Sequence, residues 1–197
     1  RHLVKRGMVV AGRPRDIAFE RIEEETAFAW MTGDAAHPFE GRTTPDLDMK
    51  EPGYTWCKAP RLDGRTVEVG ALARQIVDGH PLACELGDGG ADARGRVIGR
   101  LLEIARTVPA LEAWAAAIEP GASFITHGDP LLDGEGAGLV EAARGSLGHW
   151  LVARDGRIAN YQIIAPTTWN FSPRGADGTP GPVEQALEGA PVRPGET

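Results

Sequence analysis

Gly138-Leu-Val-Glu-Ala-Ala-Arg-Gly-Ser-Leu-Gly-His-Trp150, continued by Leu151-Val-Ala-Arg-Asp-Gly-Arg-Ile-Ala-Asn-Tyr-Gln-Ile-Ile-Ala-Pro-Thr-Thr-Trp-Asn170, reads as two extended runs around Asp155-Gly156. Asp-Gly between such runs is a strong short-range hairpin signal, because both turn residues must adopt positive φ. A two-residue loop fixes the register. Arg154 then faces Arg157, Trp150 faces Tyr161 and Arg144 faces Thr167. A fixed positive charge and a hydroxyl donor meet at the open end, beside Gly145 and Pro166, which suits an anionic ligand.

Composition sets the wider bounds. The chain has 197 residues, enough for the core of one domain or two. Its 26 glycines and 15 prolines predict many turns and irregular connections. A formal net charge of -7 argues against a nucleic-acid partner, which calls for a basic stripe. No apolar run approaches the roughly 18 residues of a membrane span, and no signal peptide opens the chain. The first methionine is Met8, so the chain is expected to be part of a longer product. Cys57 and Cys84 stand far apart, without a Cys-x-x-Cys or His/Cys cluster. They are expected to be free, buried thiols.

Along the chain, residues 1–16 are basic and Pro/Gly-punctuated around Met8-Val9-Val10. The glutamate-rich start of Ile17 to Met31 favours helix, whereas Phe28 to Met31 suits an extended run. Thr32 to Gly53 is a long loop expected to wrap a larger body. Asp63-Gly64 predicts a second hairpin joining Tyr54–Leu62 to Arg65–Val69, with Pro60 at an edge or bulge. Val69, Leu72, Ala73, Ile76 and Val77 have helical spacing, stopped by Gly79 and Pro81. Ala83 to Gly95 reads as loop. Arg94 to Ile118 is the longest periodic segment, with its stripes of Val97, Ile98, Leu101 and Leu102, and of Leu111, Trp114 and Ile118, expected in the core. Pro109 either kinks this helix or opens a second one. Gly121 to Gly138 is loop, with turns at Asp129-Pro130 and Asp133-Gly134, and Val183 to Leu187 is a short helix.

Each candidate residue has a plain reading beside the functional one. Arg144 has small neighbours, which let a ligand approach its rigid fork of donors, but it can equally pair with Glu141 at a turn. Thr167-Thr168 after Pro166 suits a turn or helix cap. His149 is either a metal ligand or a hydrogen-bonded structural residue. His37-Pro38, Gly41 and Thr43-Thr44-Pro45 read as loop chemistry.

These segments, over nearly the whole chain, resemble the C-terminal half of the large, catalytic subunit of NiFe hydrogenases. The pattern Glu-Ala-Pro-Arg-Gly-x-Leu-x-His-Trp is matched by Glu141 to Trp150. Asp-Gly-x-Ile-x-x-Tyr-Gln and Pro-Thr-Thr-Trp-Asn are matched by Asp155 to Gln162 and by Pro166 to Asn170. Upstream, His37-Pro38 with Gly41 and Thr43, Tyr54-Thr55-Trp56 through Ala59-Pro60-Arg61, and Val67-Glu68-Val69-Gly70 to Leu72-Ala73-Arg74 follow the same order. So does the Arg-rich helix ending near Trp114.

The resemblance implies an α+β, predominantly helical fold with small antiparallel hairpins beside the active site. It implies a single incomplete domain over residues 1–197 within a larger large subunit. The family's centre is nickel and iron bridged by cysteine thiolates, the iron carrying two cyanides and a carbon monoxide, NiFe(CN)2(CO). Carry-over assigns Arg144 and the backbone at Ala142 to one cyanide, and the Thr167 hydroxyl and amide to the other. Leu147, Ala165 and Pro166 would wall the carbon monoxide, with Ala143 beside the metals where most members have proline. Arg144 is also implied as the catalytic residue, aiding heterolytic H2 cleavage by polarisation or as a base, although an arginine base is unusual. Neither family Cys-x-x-Cys motif is present, and Cys57 and Cys84 do not match them. The motifs are expected before Arg1 and after Thr197, so no metal ligand is assigned here and this chain alone is expected to be inactive and without the NiFe centre.

Three roles follow from the resemblance. The first is H2 oxidation, with electrons passed to Fe-S clusters of a small subunit. The second is a regulatory H2 sensor of low turnover, signalling to a partner such as a histidine kinase; Ala142 to Ser146, Thr168 to Pro173 and Ala190 to Thr197 resemble that branch. The third is a metal-free maturation scaffold. A cytoplasmic location is expected, or membrane association for an uptake enzyme.

Overall fold

The computed structural model describes residues 3–128, 132–193 and 195, which divide into two compact units. The Asp129-Pro130 turn expected from sequence lies outside the described residues.

The first unit takes its residues from 1–17, 70–134 and 153–159. Strands β1 (Met8–Val10) and β2 (Arg13–Arg15) pair antiparallel around Ala11-Gly12. Helix α1 (Ala71–Val77) follows the expected apolar spacing and gives way to Gly79 at φ +79°. Helix α2 (Pro81–Gly87) replaces the expected loop. Pro81 starts it instead of stopping α1: at the first helical position a missing N–H costs nothing. Helix α3 (Ala93–Ala116) begins at Asp92, whose carboxylate accepts the Gly95 N–H at 2.6 Å. It runs through Pro109 as one element, so no second helix opens there.

The packing of α3 departs from expectation. Its buried positions are Gly95 and Gly99, four residues apart, which let the helix approach Leu72 of α1. A Cβ at Gly99 would stand 2.8 Å from the Leu72 backbone. Arg74 and Glu103 clamp the two helices with bonds of 2.6 and 2.5 Å in fork geometry. Arg106 adds bonds to Gln75 and Asp78 at 2.6 and 2.7 Å. Of the stripes expected in the core, Val97, Leu101, Leu111, Trp114 and Ile118 are exposed, while Ile98 and Leu102 are half-buried. The expectation failed because hydrophobic period identifies a helix face without identifying its partner, and here glycines make the contact. Gly99→Val is expected to destabilise the folded chain by about 1–3 kcal/mol through overpacking. Unfolding in denaturant measures this, and an unchanged midpoint would contradict the close α1–α3 approach.

The second unit takes its residues from 18–69, 135–152 and 160–197. After a short 3-10 turn at Phe19–Arg21 comes strand β3 (Ile22–Glu25), where sequence favoured helix. Strand β4 (Met31–Thr32) pairs with β5 (Thr44–Pro45) across the long irregular segment. Strand β6 (Ala59–Leu62) pairs antiparallel with β3, Ile22 opposite Leu62 and Glu25 opposite Ala59. The Asp63-Gly64 turn forms, at φ +54° and +68°, but beyond it only Arg65 bridges back to Leu62. The expected hairpin is therefore short, and β6 takes its partner from 34 or more residues upstream.

A three-stranded sheet orders β7 (Gly134–Ala142), β8 (Gly145–Arg154) and β9 (Arg157–Ile164) side by side. Helices α4 (Pro166–Asn170) and α5 (Pro182–Leu187) follow. Ile22, Ala59, Trp150, Ile164 and Trp169 are among the buried apolar residues of this unit. Buried Arg61 ties β6 to the C-terminal segment, donating to the carbonyls of Pro60 and Pro173 at 2.9 and 3.0 Å. Helix does not predominate as expected: among the described residues it covers 28% and strand 26%, because the glycine- and proline-rich half folds into short strands and loops.

Candidate functional site

The Asp155-Gly156 turn has the positive φ pair, +51° and +68°, that its sequence required. Arg154 and Arg157 end the strands on either side of it. Farther down, the register shifts. His149 and the Tyr161 hydroxyl bond at 2.6 Å with their rings stacked, so these two side chains share one face. The turn alone would have placed Gln162 opposite His149. Trp150 is 2% exposed while Tyr161 is 48% exposed, so the expected Trp150–Tyr161 pair is not formed. Strict alternation also breaks at Val152 and Ala153, which are consecutive and both buried. One extra residue on β8 at that point accounts for all three observations, the arrangement of a β-bulge.

That shift carries to the open end of the hairpin. Counted from His149 and Tyr161, Gly145 comes opposite Ala165, and Arg144 is no longer directly opposite Thr167. The two residues still belong to the same end, because antiparallel strands bring the start of β8 beside the end of β9.

Ala143 and Arg144 form the turn between β7 and β8. Gly145 follows it at φ +137°, a conformation open to glycine and costly for any side chain. Arg144 is exposed and has no hydrogen bond or ion pair to any described residue. Its alternative role, pairing with Glu141, is not taken up: the Glu141 carboxylate accepts the Ser146 hydroxyl. Across the end of the hairpin, Ala165 is extended, and buried Pro166 opens α4. Thr167 is exposed, and among the described residues neither its hydroxyl nor its N–H has an acceptor. It sits inside the first turn of α4, so it is not the cap that sequence allowed. Ala142, Leu147 and Ala165 are half-buried and Ala143 is exposed. His149 takes the structural reading through Tyr161. Among the described residues, no group of three or more His, Cys, Asp or Glu side chains is placed to hold a metal ion.

A second cluster, not legible in sequence, centres on Glu24. Glu24 on β3 is 3% exposed, and its Oε2 accepts from Lys58 Nζ at 2.6 Å. Lys58 also donates to Gln162 Oε1 of β9 at 3.2 Å, while Gln162 Nε2 donates to the Gly41 carbonyl at 3.0 Å. Glu24 Oε1 is buried without a partner among the described residues. Burial pushes the Glu24 carboxyl above the usual carboxylate range, and the Lys58 ammonium pulls against that shift. The neighbouring Cys57 thiol is also pushed up, first by burial and then by Glu24. It donates weakly to the Thr168 carbonyl at 3.8 Å. Both cysteines are free as expected, but neither is fully buried: Cys57 is half-buried and Cys84 exposed. Ile22 and Glu24 share the buried face of β3, but the run Glu23-Glu24-Glu25 has no alternation in sequence that could have placed this acid inside.

Comparison with known proteins covers almost every residue. A family model described as nickel-dependent hydrogenase matches residues 1–86 and 91–197. The periplasmic NiFeSe hydrogenase large subunit of Desulfomicrobium baculatum is 32% identical over 96% of this chain and 41% of its own length. The Hydrogenase-2 large chain of Escherichia coli K12 is 32% identical over 87% of this chain and 35% of its own. The structure of the H2-activated Desulfomicrobium baculatum NiFeSe hydrogenase superposes with a TM-score of 0.84 at 32% identity, over 95% of this chain and 42% of that one. The chain thus spans about two fifths of the length of the relatives it matches. One relative is named as periplasmic, and neither name speaks for the expected cytoplasmic location. Among the described residues no helix is long and apolar enough to cross a membrane.

Proposed function

Since the chain belongs to the nickel-dependent hydrogenase large-subunit family, we propose that it forms the cyanide-holding side of an H2-splitting centre within a longer large subunit. The observation that carries this reading is the pair of unengaged donors, Arg144 and Thr167, at one end of the β8–β9 hairpin. Iron-bound cyanide is an anionic acceptor, and charge-assisted donors hold such groups best. The residues present therefore fit NiFe(CN)2(CO), although the cysteine ligands are not among them. When bound, that centre supplies the Lewis acidity and the electron acceptor for H2 cleavage.

The roles of this chain's residues follow from their chemistry. Arg144 donates to one cyanide, aided by the backbone at Ala142, and its fixed charge polarises H2 as it splits. Thr167 donates to the other cyanide through its hydroxyl and N–H. Leu147, Ala165 and Pro166 keep water from the carbon monoxide. Ala143 is the first central residue of its turn, where proline would fix φ in advance. Alanine leaves this wall less rigid and less filled. The Fe-S clusters of a small subunit would supply the electron acceptor beyond that centre. Both relatives named above are hydrogenase large subunits, which favours an enzyme over the sensor and the scaffold.

Thr167→Val tests this assignment in the full-length large subunit with its small subunit. Valine keeps the shape and removes the hydroxyl donor. Infrared spectroscopy is expected to show a shifted cyanide stretch with unchanged nickel and iron content. Identical cyanide bands in the variant and the parent would overturn the Thr167 role.

A further inference from the structure

The Glu24–Lys58–Gln162 cluster packs against the chain segment that leads to Thr167. Gln162 lies on β9 ahead of Ala165–Thr167, and Cys57, beside Lys58, bonds to the Thr168 carbonyl of α4. Its acid has one oxygen engaged and one empty-handed: Oε2 accepts from Lys58 at 2.6 Å, while Oε1 is buried with no donor among the described residues. Leaving a buried acceptor unsatisfied costs about 1–3 kcal/mol, and more for a charged group. A purely structural ion pair is better served by a second donor on that oxygen. A proton or a buried water satisfies it equally well.

Resting on the H2-splitting reading above, we propose that Glu24 is a transient acceptor for protons released by that reaction, loading at Oε1. The step balances without any electron transfer. An O–H bond of a hydronium ion breaks, one forms at Oε1, and a neutral water remains. Lys58 stays an ammonium ion on Oε2, so the charge of the pair rises from zero to plus one. Release to water reverses the step. The titratable groups facing Glu24 are Lys58 and Cys57, and Gln162 fixes the Lys58 ammonium from the β9 side. Burial raises the proton affinity of Glu24, and Lys58 lowers it, so the acid both captures and releases. Glu24 acts through proton transfer at a distance from the H2-splitting centre, as a relay residue.

The test uses the full-length large subunit with its small subunit under H2 in D2O. Two rates are compared: HD formation, which needs protons to exchange with solvent, and para-H2 conversion, which needs only H2 splitting and recombination. In Glu24→Gln, HD formation is expected to fall about a hundredfold. Para-H2 conversion, nickel and iron are expected to stay near the parent values, and Glu24→Asp to recover part of the exchange. Unchanged HD formation would overturn the relay, as would an equal fall in both rates. Glutamine leaves Lys58 buried and unpaired, so the neutral double variant Glu24→Gln/Lys58→Met is measured in parallel. Loss of metal from both variants would assign the pair to structure and overturn the proposal. A parent protein without nickel or without para-H2 conversion would instead sink the H2-splitting reading.

Discussion

Arg144→Lys, in the full-length large subunit with its small subunit, is expected to lower H2 oxidation by about two to three orders of magnitude with nickel and iron content near normal. The size follows from what a single preorganised donor is worth when aimed at developing charge. Lysine retains the positive charge but presents it as a flexible, strongly hydrated point. Arginine presents a planar fork. Arg144 stands on a two-residue turn, directly before a glycine at φ +137°. No bond to a described residue diverts it. A lysine there meets no new steric demand, so folding and metal loading are expected to survive. H2-dependent dye reduction and elemental analysis on the same preparation separate the two effects. Unchanged H2 uptake would remove Arg144 from the reaction.

The largest stability effect is expected at Arg61. Its side chain is 3% exposed and holds the carbonyls of Pro60 and Pro173. It also reaches the Ser172 hydroxyl at 3.4 Å and stands 3.8 Å from the Glu25 carboxylate. Glu25 in turn accepts the Ala176 N–H at 3.0 Å. Arg61→Ala leaves that carboxylate without its buried cation and releases the Pro173 carbonyl. A loss of about 3–5 kcal/mol is expected, the cost of breaking a buried pair by removing one partner. Denaturant unfolding measures it. A shift below about 1 kcal/mol would mean that solvent already replaces these bonds.

What could be read in the sequence was local chemistry. Asp155-Gly156 announced its turn because few residue pairs accept two positive φ values, and α1 announced itself by apolar spacing. The shared end of Arg144 and Thr167 was also legible, since any antiparallel hairpin over these residues produces it. Their direct opposition was not, because the extra residue at Val152-Ala153 changes the count and nothing in those two side chains signals it. Three consecutive glutamates favoured helix by propensity. The strand they enter is fixed by Ala59–Leu62, a partner more than thirty residues away. Pro81 carried two meanings, stop and start, and only the three-dimensional path of the chain chose between them. The buried Glu24 escaped for the same reason as β3: its burial depends on Lys58 and Gln162, which local patterns do not bring together.

The extra residue on β8 makes the hairpin sensitive to length in one place and tolerant in another. Beyond it, at the Asp155-Gly156 tip, the loop can lengthen or shorten without altering which side chains look inward nearer Gly145. Removing a single residue from Val152-Ala153 would delete the extra residue and restore strict alternation, with Trp150 still inward and His149 still beside Tyr161. Only between Gly145 and Leu151 are insertions and deletions constrained by parity as well as by size. There, two residues can be gained or lost together far more readily than one.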